Sequence, residues 1–418
     1  MVSRCIQILF LIFIFAIDGS IQNVQGGEII SLKEVLSQAS QHNLTLETAR
    51  RDLKVSEGQV LQAKEIPNPS LSFSLFQIPI QNPEARTATK DISLTQPIEV
   101  FGKRQLRTKV ARSDLGAGQA KYKALELNIL KQAKEAYWDY SLGYQQVTFF
   151  LENLKFQQRF LARVQENFQS GQANLADLSR AKVEVARAFS DVFEARKKYE
   201  TAQANLNRLI GQEVRQGLRP PARLQESSLP WSEDQLIKRA LQSRPERNAL
   251  SLLKEGRRAE LKLAQRLLWA PDVNAQVVYQ KGDRSDGRES WGGTVGLVFP
   301  LWNHYKGERA TAEAKIGSLE TQSTDLDQMI TLEVHQAYLE LRLSKEQLGV
   351  WKSAIDQATE AARLAEQRYL EGDADLLVFF QSRRDLVSTT LEYLQTLRAC
   401  QANFSSLERA IGAQLTGD

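Results

Sequence analysis

The residues that most often perform catalysis or bind metal ions are few in this chain and lie far apart. The three histidines, His42, His304 and His335, fall on three separate predicted elements, where an isolated histidine is far more often structural or exposed than a ligand. Met1 and Met329 are the two methionines, which is too few for a thioether copper site. We therefore predict that the chain is not an enzyme and has no metal site and no cofactor.

Two short motifs that could carry chemistry also have simpler interpretations. Gly102-Lys103-Arg104 lacks the glycine spacing of a phosphate-binding loop. Asp373 and Asp375 form a carboxylate pair, but acidic residues at this place also favour the start of a helix. The chain has 54 Lys and Arg against 50 Asp and Glu, and this near balance indicates neither nucleic-acid binding nor membrane-surface binding. We expect no nucleic-acid partner.

The carboxylates concentrate at one of two predicted helical turns, 171–174 and 372–375. A glycine in such a turn can adopt the left-handed conformation that ends a helix, and Asn174 and Asp375 suit the N-cap of the next helix. The acidic residues of the second turn are Glu371, Asp373 and Asp375. Clustered negative charge attracts cations, so three interpretations stay open: a cation-selective gate, a docking surface, or simple helix-end charge.

Each turn joins a very long predicted helix to a shorter return helix. No proline interrupts 102–170 or 306–371, so each stretch predicts a rod of ~100 Å at 1.5 Å per residue. The return helices are predicted over 175–210 and 376–411. The apolar residues of the first rod keep the heptad spacing of a coiled coil. They are Tyr140, Val147, Phe150, Leu154, Leu161, Val164 and Phe168.

Before each long helix the apolar period changes from 3.6 to 2, which predicts β-hairpins over 70–98 and 272–300. One face is apolar, with Phe73, Leu75, Val277 and Leu297, and the other is polar, with Ser72, Ser74 and Gln276. A half-buried hairpin of a soluble domain would alternate in the same way. If the apolar face meets lipid, several copies must assemble, because four strands are too few for a membrane barrel, which needs ~8.

The helices and hairpins occur twice. Ala136-Tyr137 returns as Ala337-Tyr338, Phe168-x-x-Gly171 as Tyr369-x-x-Gly372, and Ile210-Gly211 as Ile411-Gly412, each 201 positions later (337 − 136, 372 − 171, 412 − 211). A solenoid repeats every ~20–50 residues, so this longer period predicts two copies of a structural half. We assign the repeats to 27–211 and 232–418, with a proline-containing linker over 212–231.

Residues 1–26 predict a secretory signal peptide. Arg4 precedes an apolar stretch, 6–17, that is shorter than the ~20 residues of a membrane-spanning helix. Loss of this segment removes Cys5 and leaves Cys400 alone, so the mature chain cannot form an intrachain disulfide. Export without disulfides favours a bacterial envelope.

In this order the elements resemble the TolC-type outer-membrane efflux channels. The pieces that carry the resemblance are Pro67-Asn68-Pro69, Gln96-Pro97-Ile98-Glu99 and Phe299-Pro300-Leu301-Trp302, and Phe101-Gly102-Lys103-Arg104 is most similar to the heavy-metal, CzcC-like branch. The resemblance implies a mainly α fold with a β-barrel part: a homotrimer with a twelve-stranded barrel in the lipid of the outer membrane and a helical tunnel in the periplasm. It also implies a passive duct for ions or small molecules, including heavy-metal cations, that receives them from a periplasmic adaptor and an inner-membrane pump.

The same resemblance implies that the two turns contact the adaptor. The residues that match the family's tip pattern are Phe168, Gly171, Leu175, Arg368, Tyr369, Gly372 and Leu376. Asn167 stands where the family has arginine in the first turn. The family's acidic gate positions are Val378 and Gln381 here, so that gate is not carried over. Asp177 holds the equivalent position of the first half, and we count it among the gate candidates.

An exported periplasmic coiled-coil scaffold without a pore is the alternative that the residues leave open. It explains the signal and the long helices equally well, but it does not explain the strict alternation in both hairpins. Partition between membrane and soluble fractions separates the two interpretations.

Overall fold

The computed structural model describes residues 28–76, 89–219, 231–281 and 288–415. The predicted signal peptide, the turns of both predicted hairpins and much of the predicted linker lie outside these ranges. The chain divides into two compact units. The first unit comprises Met1–Thr48, Ala124–Arg244 and Met329–Asp418, and the second comprises Ala49–Lys123 and Pro245–Gln328. Each unit contains parts of both sequence repeats, so the repeats are not the compact units of the fold.

The described residues are mainly helical, with a small antiparallel sheet, which confirms the predicted fold class. The helices are α1 (Leu32–His42), α2 (Leu44–Lys64), α3 (Lys103–Gln169), α4 (Leu175–Leu209), α5 (Glu233–Ser243), α6 (Pro245–Leu267), α7 (Lys306–Glu371) and α8 (Leu376–Ile411). The strands are β1 (Glu28–Ile29), β2 (Ser70–Phe76), β3 (Thr89–Ile98), β4 (Leu218–Arg219), β5 (Asp272–Lys281) and β6 (Glu289–Val298).

The long helices α3 and α7 have 67 and 66 residues, and the return helices α4 and α8 have 35 and 36. Their bounds differ from the predicted ones by at most one residue. The predicted heptad stripe of α3 is buried at Tyr140, Val147, Phe150, Leu154 and Val164, whereas Phe168 at its end is 38% exposed. Within the described residues, no helix combines the length and the apolar character that crossing a membrane requires.

The second unit contains a four-stranded antiparallel sheet in the order β2-β3-β5-β6. Residues directly opposite each other on neighbouring strands point to the same face, so the register assigns every side chain to a face. Phe73 lies opposite Ile92, which lies opposite Tyr279, which lies opposite Trp291. The same face carries Leu71, Leu75, Leu94, Ile98, Val273, Val277, Val295 and Leu297.

This apolar face is exposed. Phe73 is 72% exposed, Trp291 75% and Val295 71%. The opposite face is mostly polar or small and includes Ser72, Ser93, Gln276 and Thr294; there the hydroxyls of Ser72 and Ser93 are 2.7 Å apart. The sheet thus turns a broad apolar surface outward, which in a monomeric soluble protein is rare.

Lys103 joins the start of α3 to the start of β5 within the second unit. Phe101 and Gly102 adopt left-handed conformations, with φ of 59° and 72°, and place Lys103 in a buried position. The ammonium group donates hydrogen bonds to the carbonyls of Ala270, at 2.9 Å, and Pro271, at 3.2 Å, and it pairs with the Asp272 carboxylate at 2.7 Å. The lysine of the Phe-Gly-Lys-Arg piece is therefore a structural residue.

The duplication is visible in how the two return helices end inside the first unit. The side-chain amide of Asn43 donates to the carbonyl of Leu209 at the end of α4, at 2.9 Å. Arg244 donates from Nε to the carbonyl of Ala410 at the end of α8, at 2.7 Å. Both the donors and the acceptors are 201 positions apart (244 − 43, 410 − 209). The last carbonyl groups of a helix have no partner within the helix. In each half, the equivalent carbonyl accepts a hydrogen bond from a side chain, an amide in the first half and a guanidinium in the second.

Candidate functional site

The first turn, between α3 and α4, ends one helix and begins the next with backbone hydrogen bonds. Gly171 has a φ of 77°, and the N–H groups of Gln172 and Ala173 both donate to the carbonyl of Asn167, at 2.8 and 3.2 Å. The Asn174 side chain accepts from the Asp177 N–H at 2.9 Å, while the Asp177 carboxylate accepts from the Asn174 N–H at 3.5 Å. Asp177 is thus half of a capping box, a role that explains an acidic residue at this place without any gate.

The second turn, between α7 and α8, has the same design. Gly372 has a φ of 81°, and the Asp373 N–H donates to the carbonyl of Arg368 at 2.9 Å. The Arg368 guanidinium lies 3.4 Å from the carbonyl oxygen of Asp373. Asp375 is the N-cap of α8, and its carboxylate accepts from the Leu377 N–H at 2.9 Å.

A shared aromatic core, which we call the tip core, lies directly behind the two turns. The tip core consists of Phe160, Val164, Leu178, Ala181, Leu376, Phe379 and Phe380. The rings of Phe160 and Phe379 stack at 4.5 Å between centroids, and Phe379 has no exposed surface. Tyr369 packs against both rings, at 5.6 and 6.1 Å. The ends of all four long and return helices therefore meet in one hydrophobic cluster.

Equivalent residues of the two turns have different environments. Leu376 is 2% exposed and belongs to the tip core, whereas Leu175, at the same place in the first turn, is 66% exposed. Tyr369 is partly buried against the tip core, whereas Phe168 is 38% exposed. The other predicted tip and gate residues on the surface are Gly171, Arg368, Glu371, Gly372, Asp373 and Asp375. The structure thus brings the predicted site residues to one end of the first unit, but removes Leu376 from the surface.

Carboxylates from both turns act on the Tyr369 hydroxyl. Burial raises the pKa of the Tyr369 phenol, and the negative charges of Asp177 and Asp375 raise it further. One residue from each turn therefore contributes to the field at a single hydroxyl. Arg180 on α4 lies 4.0 Å from the Asp375 carboxylate and links the first return helix to the second turn. Glu371 instead accepts a hydrogen bond from Gln367 on its own helix, at 2.9 Å.

A second group of charges, which sequence reasoning did not identify, lies farther from the turns. Glu184 on α4 is 8% exposed, accepts a hydrogen bond from Arg187 at 3.0 Å and pairs with Arg384 on α8. Arg383 lies 3.9 Å from the centre of the Phe156 ring. A cavity of about 350 Å³ is bordered by these four charged side chains, Glu184, Arg187, Arg383 and Arg384, and by Asp191.

Burial is the main reason that the pKa of Asp191 is raised, and the charge of Glu184 adds to the effect while that of Arg187 opposes it. The position of Glu184 in the sequence indicates that it is buried, because Glu184 lies on the apolar stripe of α4 between Ala181 and Ala188. A charge on the buried face of a helix needs a partner. The partner, 200 positions away, cannot be read from local spacing.

The histidines do not come together in the described part of the chain. A hydrogen bond of 2.7 Å joins Nδ1 of His335 to the carboxylate of Glu233, and both side chains are partly exposed. Among residues 28–76, 89–219, 231–281 and 288–415, no three His, Cys, Asp or Glu side chains are placed to hold a metal ion.

Comparison with known proteins agrees with this architecture. A model of the outer membrane efflux protein family matches residues 35–212 and again residues 236–413. The two matches begin and end 201 positions apart (236 − 35, 413 − 212), the separation of the repeated motifs. The cobalt-zinc-cadmium resistance protein CzcC of Cupriavidus metallidurans is 22% identical over 388 residues, which cover 92% of this chain and 90% of CzcC.

Solved structures show the same fold at low sequence identity. CusC superimposes with a TM-score of 0.78 at 19% identity, covering 92% of each chain. The open state of MtrE from Neisseria gonorrhoeae superimposes with a TM-score of 0.77 at 17% identity, covering 91% of this chain and 89% of MtrE. Because the family model accounts for both halves, the chain belongs to the outer membrane efflux protein family, whose members are passive channels and not enzymes.

Proposed function

We propose that the protein is the trimeric outer-membrane duct of a tripartite efflux system, with its helices in the periplasm. The observation that carries this proposal is the exposed apolar face of the four-stranded sheet. A sheet in water buries its apolar face, whereas a sheet in a bilayer presents it to lipid and keeps polar side chains on the lumen side. A periplasmic scaffold without a pore has no use for such a face.

Assembly into a trimer follows from the edges of the sheet. Strands β2 and β6 are the outer strands of the order, and each has one side without a partner in the described sheet. Three copies joined through these edges form twelve strands, enough for a closed barrel without unpaired backbone groups. The part of α7 that belongs to the first unit also exposes large apolar side chains, and contact with another copy would bury them. They are Met329, Leu332, Leu343, Val350 and Leu364.

The direct experiment is fractionation followed by native mass spectrometry of the detergent-extracted protein. We expect the chain in the outer-membrane fraction, with a mass three times that of the mature chain. A monomer in the soluble periplasmic fraction would contradict the proposal and favour the scaffold alternative.

The two turns are the proposed contact for a periplasmic adaptor that is connected with an inner-membrane pump. Phe168 and Leu175 of the first turn and Leu377 and Val378 after the second are large apolar side chains, each at least 38% exposed. Apolar side chains in exposed turns, beside charged groups such as Arg368, suit a protein partner better than water.

The carboxylates Asp373 and Asp375 are the proposed charge of a cation-selective entrance. In a trimer they contribute negative charge from three chains to one opening, and such a ring concentrates cations. Asp373→Asn/Asp375→Asn is a clean test because asparagine can still act as the N-cap of α8. We expect lower cation selectivity in single-channel recordings. Unchanged selectivity and resting conductance would leave these residues with only a helix-end role.

Heavy-metal cations are the proposed cargo. The similarity to CzcC, a cobalt-zinc-cadmium resistance protein, supports this choice. Deletion of the gene should lower the tolerance of the cell to cobalt, zinc or cadmium salts, and a plasmid copy should restore it. Tolerance that is unchanged for metals but lowered for organic antibiotics would assign the duct to another cargo.

A further inference from the structure

Two lysines lie side by side at one rim of the apolar face. The register pairs Lys90 on β3 directly with Lys281 on β5, and Leu75 lies opposite Lys90 on the other side. Both lysines belong to the face that carries Ile92, Leu94 and Val277, not to the polar face. Like charges in directly opposite positions of an antiparallel pair repel each other, so this pairing needs a compensating negative charge.

The described residues compensate one of the two charges. The carboxylate of Glu289, opposite Lys281 on β6, lies 2.8 Å from the Lys281 ammonium, and both side chains are about half exposed. Lys90 is exposed and forms no ion pair with a described residue, and the neighbouring Asp91 points to the polar face. Among the described strand residues of this face, the rim therefore carries the positive charges of Lys90 and Lys281 and the negative charge of Glu289.

The surface next to this charge is apolar and aromatic. Along β5, the next residue on the same face is Tyr279, whose ring lies 5.1 Å from that of Trp291. Along β3, the next residue on that face is Ile92. A positive charge bordered on one side by apolar rings matches an amphiphile: an anionic head at the lysines and hydrocarbon chains along the rings.

In the proposed trimer, neighbouring copies do not pair with the strands that carry this rim. β3 and β5 are the two inner strands of the sheet, while β2 and β6 are the edges through which copies join in the proposed trimer. The lysines also lie at the end of the sheet opposite to Ile98 and Val273, where the chain continues into or arrives from helices. In the proposed function, that end faces the exterior of the cell.

We propose that Lys90 and Lys281 bind the phosphate of a phosphorylated lipid in the outer leaflet of the outer membrane, with Tyr279 and Trp291 in contact with its chains. This inference rests on the proposed function, because it needs the apolar face to meet lipid. The lysines supply point charges for the phosphate, and Glu289 orients Lys281 while reducing the net charge of the site.

The test is native mass spectrometry of the detergent-extracted trimer titrated with lipid A, a diphosphorylated glycolipid, and with zwitterionic phosphatidylcholine. The charge of a lysine near an anionic lipid surface contributes to the free energy of binding. Lys90→Gln should therefore weaken lipid A binding about fivefold, and Lys90→Gln/Lys281→Gln should weaken it more. Lys90→Arg should keep the affinity. Glu289→Gln should raise it, because Lys281 then carries an uncompensated charge.

Lys352→Gln on α7 is the matched control, since it removes the same charge from an exposed side chain on a helix. It should leave lipid A binding unchanged. Equal binding of lipid A by the double variant and the unmodified protein would overturn the inference, as would equal loss of phosphatidylcholine binding. Competition by inorganic phosphate at the same concentration as lipid A would also overturn it, because the site would then bind free anions. The same spectra report the trimer, so failure of the proposed function is seen separately.

Discussion

At the scale of single residues, the buried charges inside the first unit are the least expected feature. Glu184 is almost fully buried and pairs with Arg384 and Arg187. Removal of one member of a buried pair leaves the other charge without compensation, which is why such groups are sensitive to substitution. Asp191 beside them forms no ion pair with another residue of the described ranges, and its pKa is raised mainly by burial.

The raised pKa of Asp191 predicts a pH-dependent effect of Asp191→Asn. The folded state holds the Asp191 proton more tightly than the unfolded state, so the charged carboxylate lowers the free energy of unfolding at neutral pH. Asp191→Asn should therefore raise the melting temperature at pH 7, by an amount that corresponds to less than about 1 kcal/mol because solvent screens a partly exposed group. The gain should vanish below pH 3.8, the ordinary pKa of an aspartate, because the carboxyl is then protonated in both the folded and the unfolded state.

Thermal melts of the trimer between pH 3 and pH 8 measure this difference. Glu194→Gln is the control, since it makes the same change on an exposed side chain of the same helix. A gain from Asp191→Asn that is constant over this range would show that burial of the charge is not its cause.

At the scale of elements, the two turns show what a duplicated sequence conserves and what it changes. Both end their long helix with a glycine in the left-handed conformation, Gly171 and Gly372, and both begin the return helix with a side-chain cap. The exposed surface differs, because Leu376 packs into the tip core and Leu175 does not. The two turns therefore present different apolar side chains to the proposed adaptor: Phe168 and Leu175 at the first, Leu377 and Val378 at the second.

We predict that Gly171→Val/Gly372→Val abolishes export but not assembly. A Cβ at either position meets no other atom within 4 Å, so the local cost comes from the left-handed backbone, about 1–2 kcal/mol for each residue. The reshaped turns should fail to fit the adaptor, while the unchanged sheet still forms the trimer. Metal tolerance of complemented cells and a native gel measure the two outcomes.

Gly349→Val is the matched control for this double substitution. Gly349 lies within α7, where a Cβ also meets nothing within 4 Å and the backbone is helical. Export should be retained in this variant. If export also survived in the double turn variant, the turns would not be the adaptor contact.

At the scale of the whole molecule, the sheet is the part of the chain that the proposed function places in a membrane. The register places Val277 opposite Leu94 near the middle of the apolar face, whereas Leu75 lies opposite Lys90 at its rim. Gln276, next in the chain to Val277, lies opposite Thr95 and Thr294 on the polar face. In the proposed function, these two adjacent residues distinguish the lipid side from the lumen side.

We expect Val277→Arg to reduce the amount of trimer in the outer membrane strongly, and Gln276→Arg to reduce it little. An arginine at the middle of the lipid-facing side of a barrel costs about 2–4 kcal/mol, whereas the lumen side is hydrated. Immunoblots of fractionated membranes, without heating so that trimers persist, provide the measurement. Equal loss in both variants would mean that the two faces have the same surroundings.

Much of the architecture could be predicted from the sequence, because a helix or strand with one apolar side has apolar residues that recur with the period of that element. The heptad spacing from Tyr140 to Val164 and the alternation around Phe73 are signals of this kind. The duplication is visible because 201 positions separate each pair of motifs. The ordered set of these elements was enough to recognise the outer membrane efflux family, which the family model confirms.

Tertiary structure alone decided which of two equivalent residues became core and which charges found partners. Leu175 and Leu376 follow their glycines at the same distance, yet only Leu376 belongs to the tip core, whereas Leu175 is exposed. Glu184 meets Arg384, and Lys90 meets Lys281, across about 200 positions of sequence. Local period determines the face on which a side chain lies, but pairing across such distances depends on register and on how the helices pack.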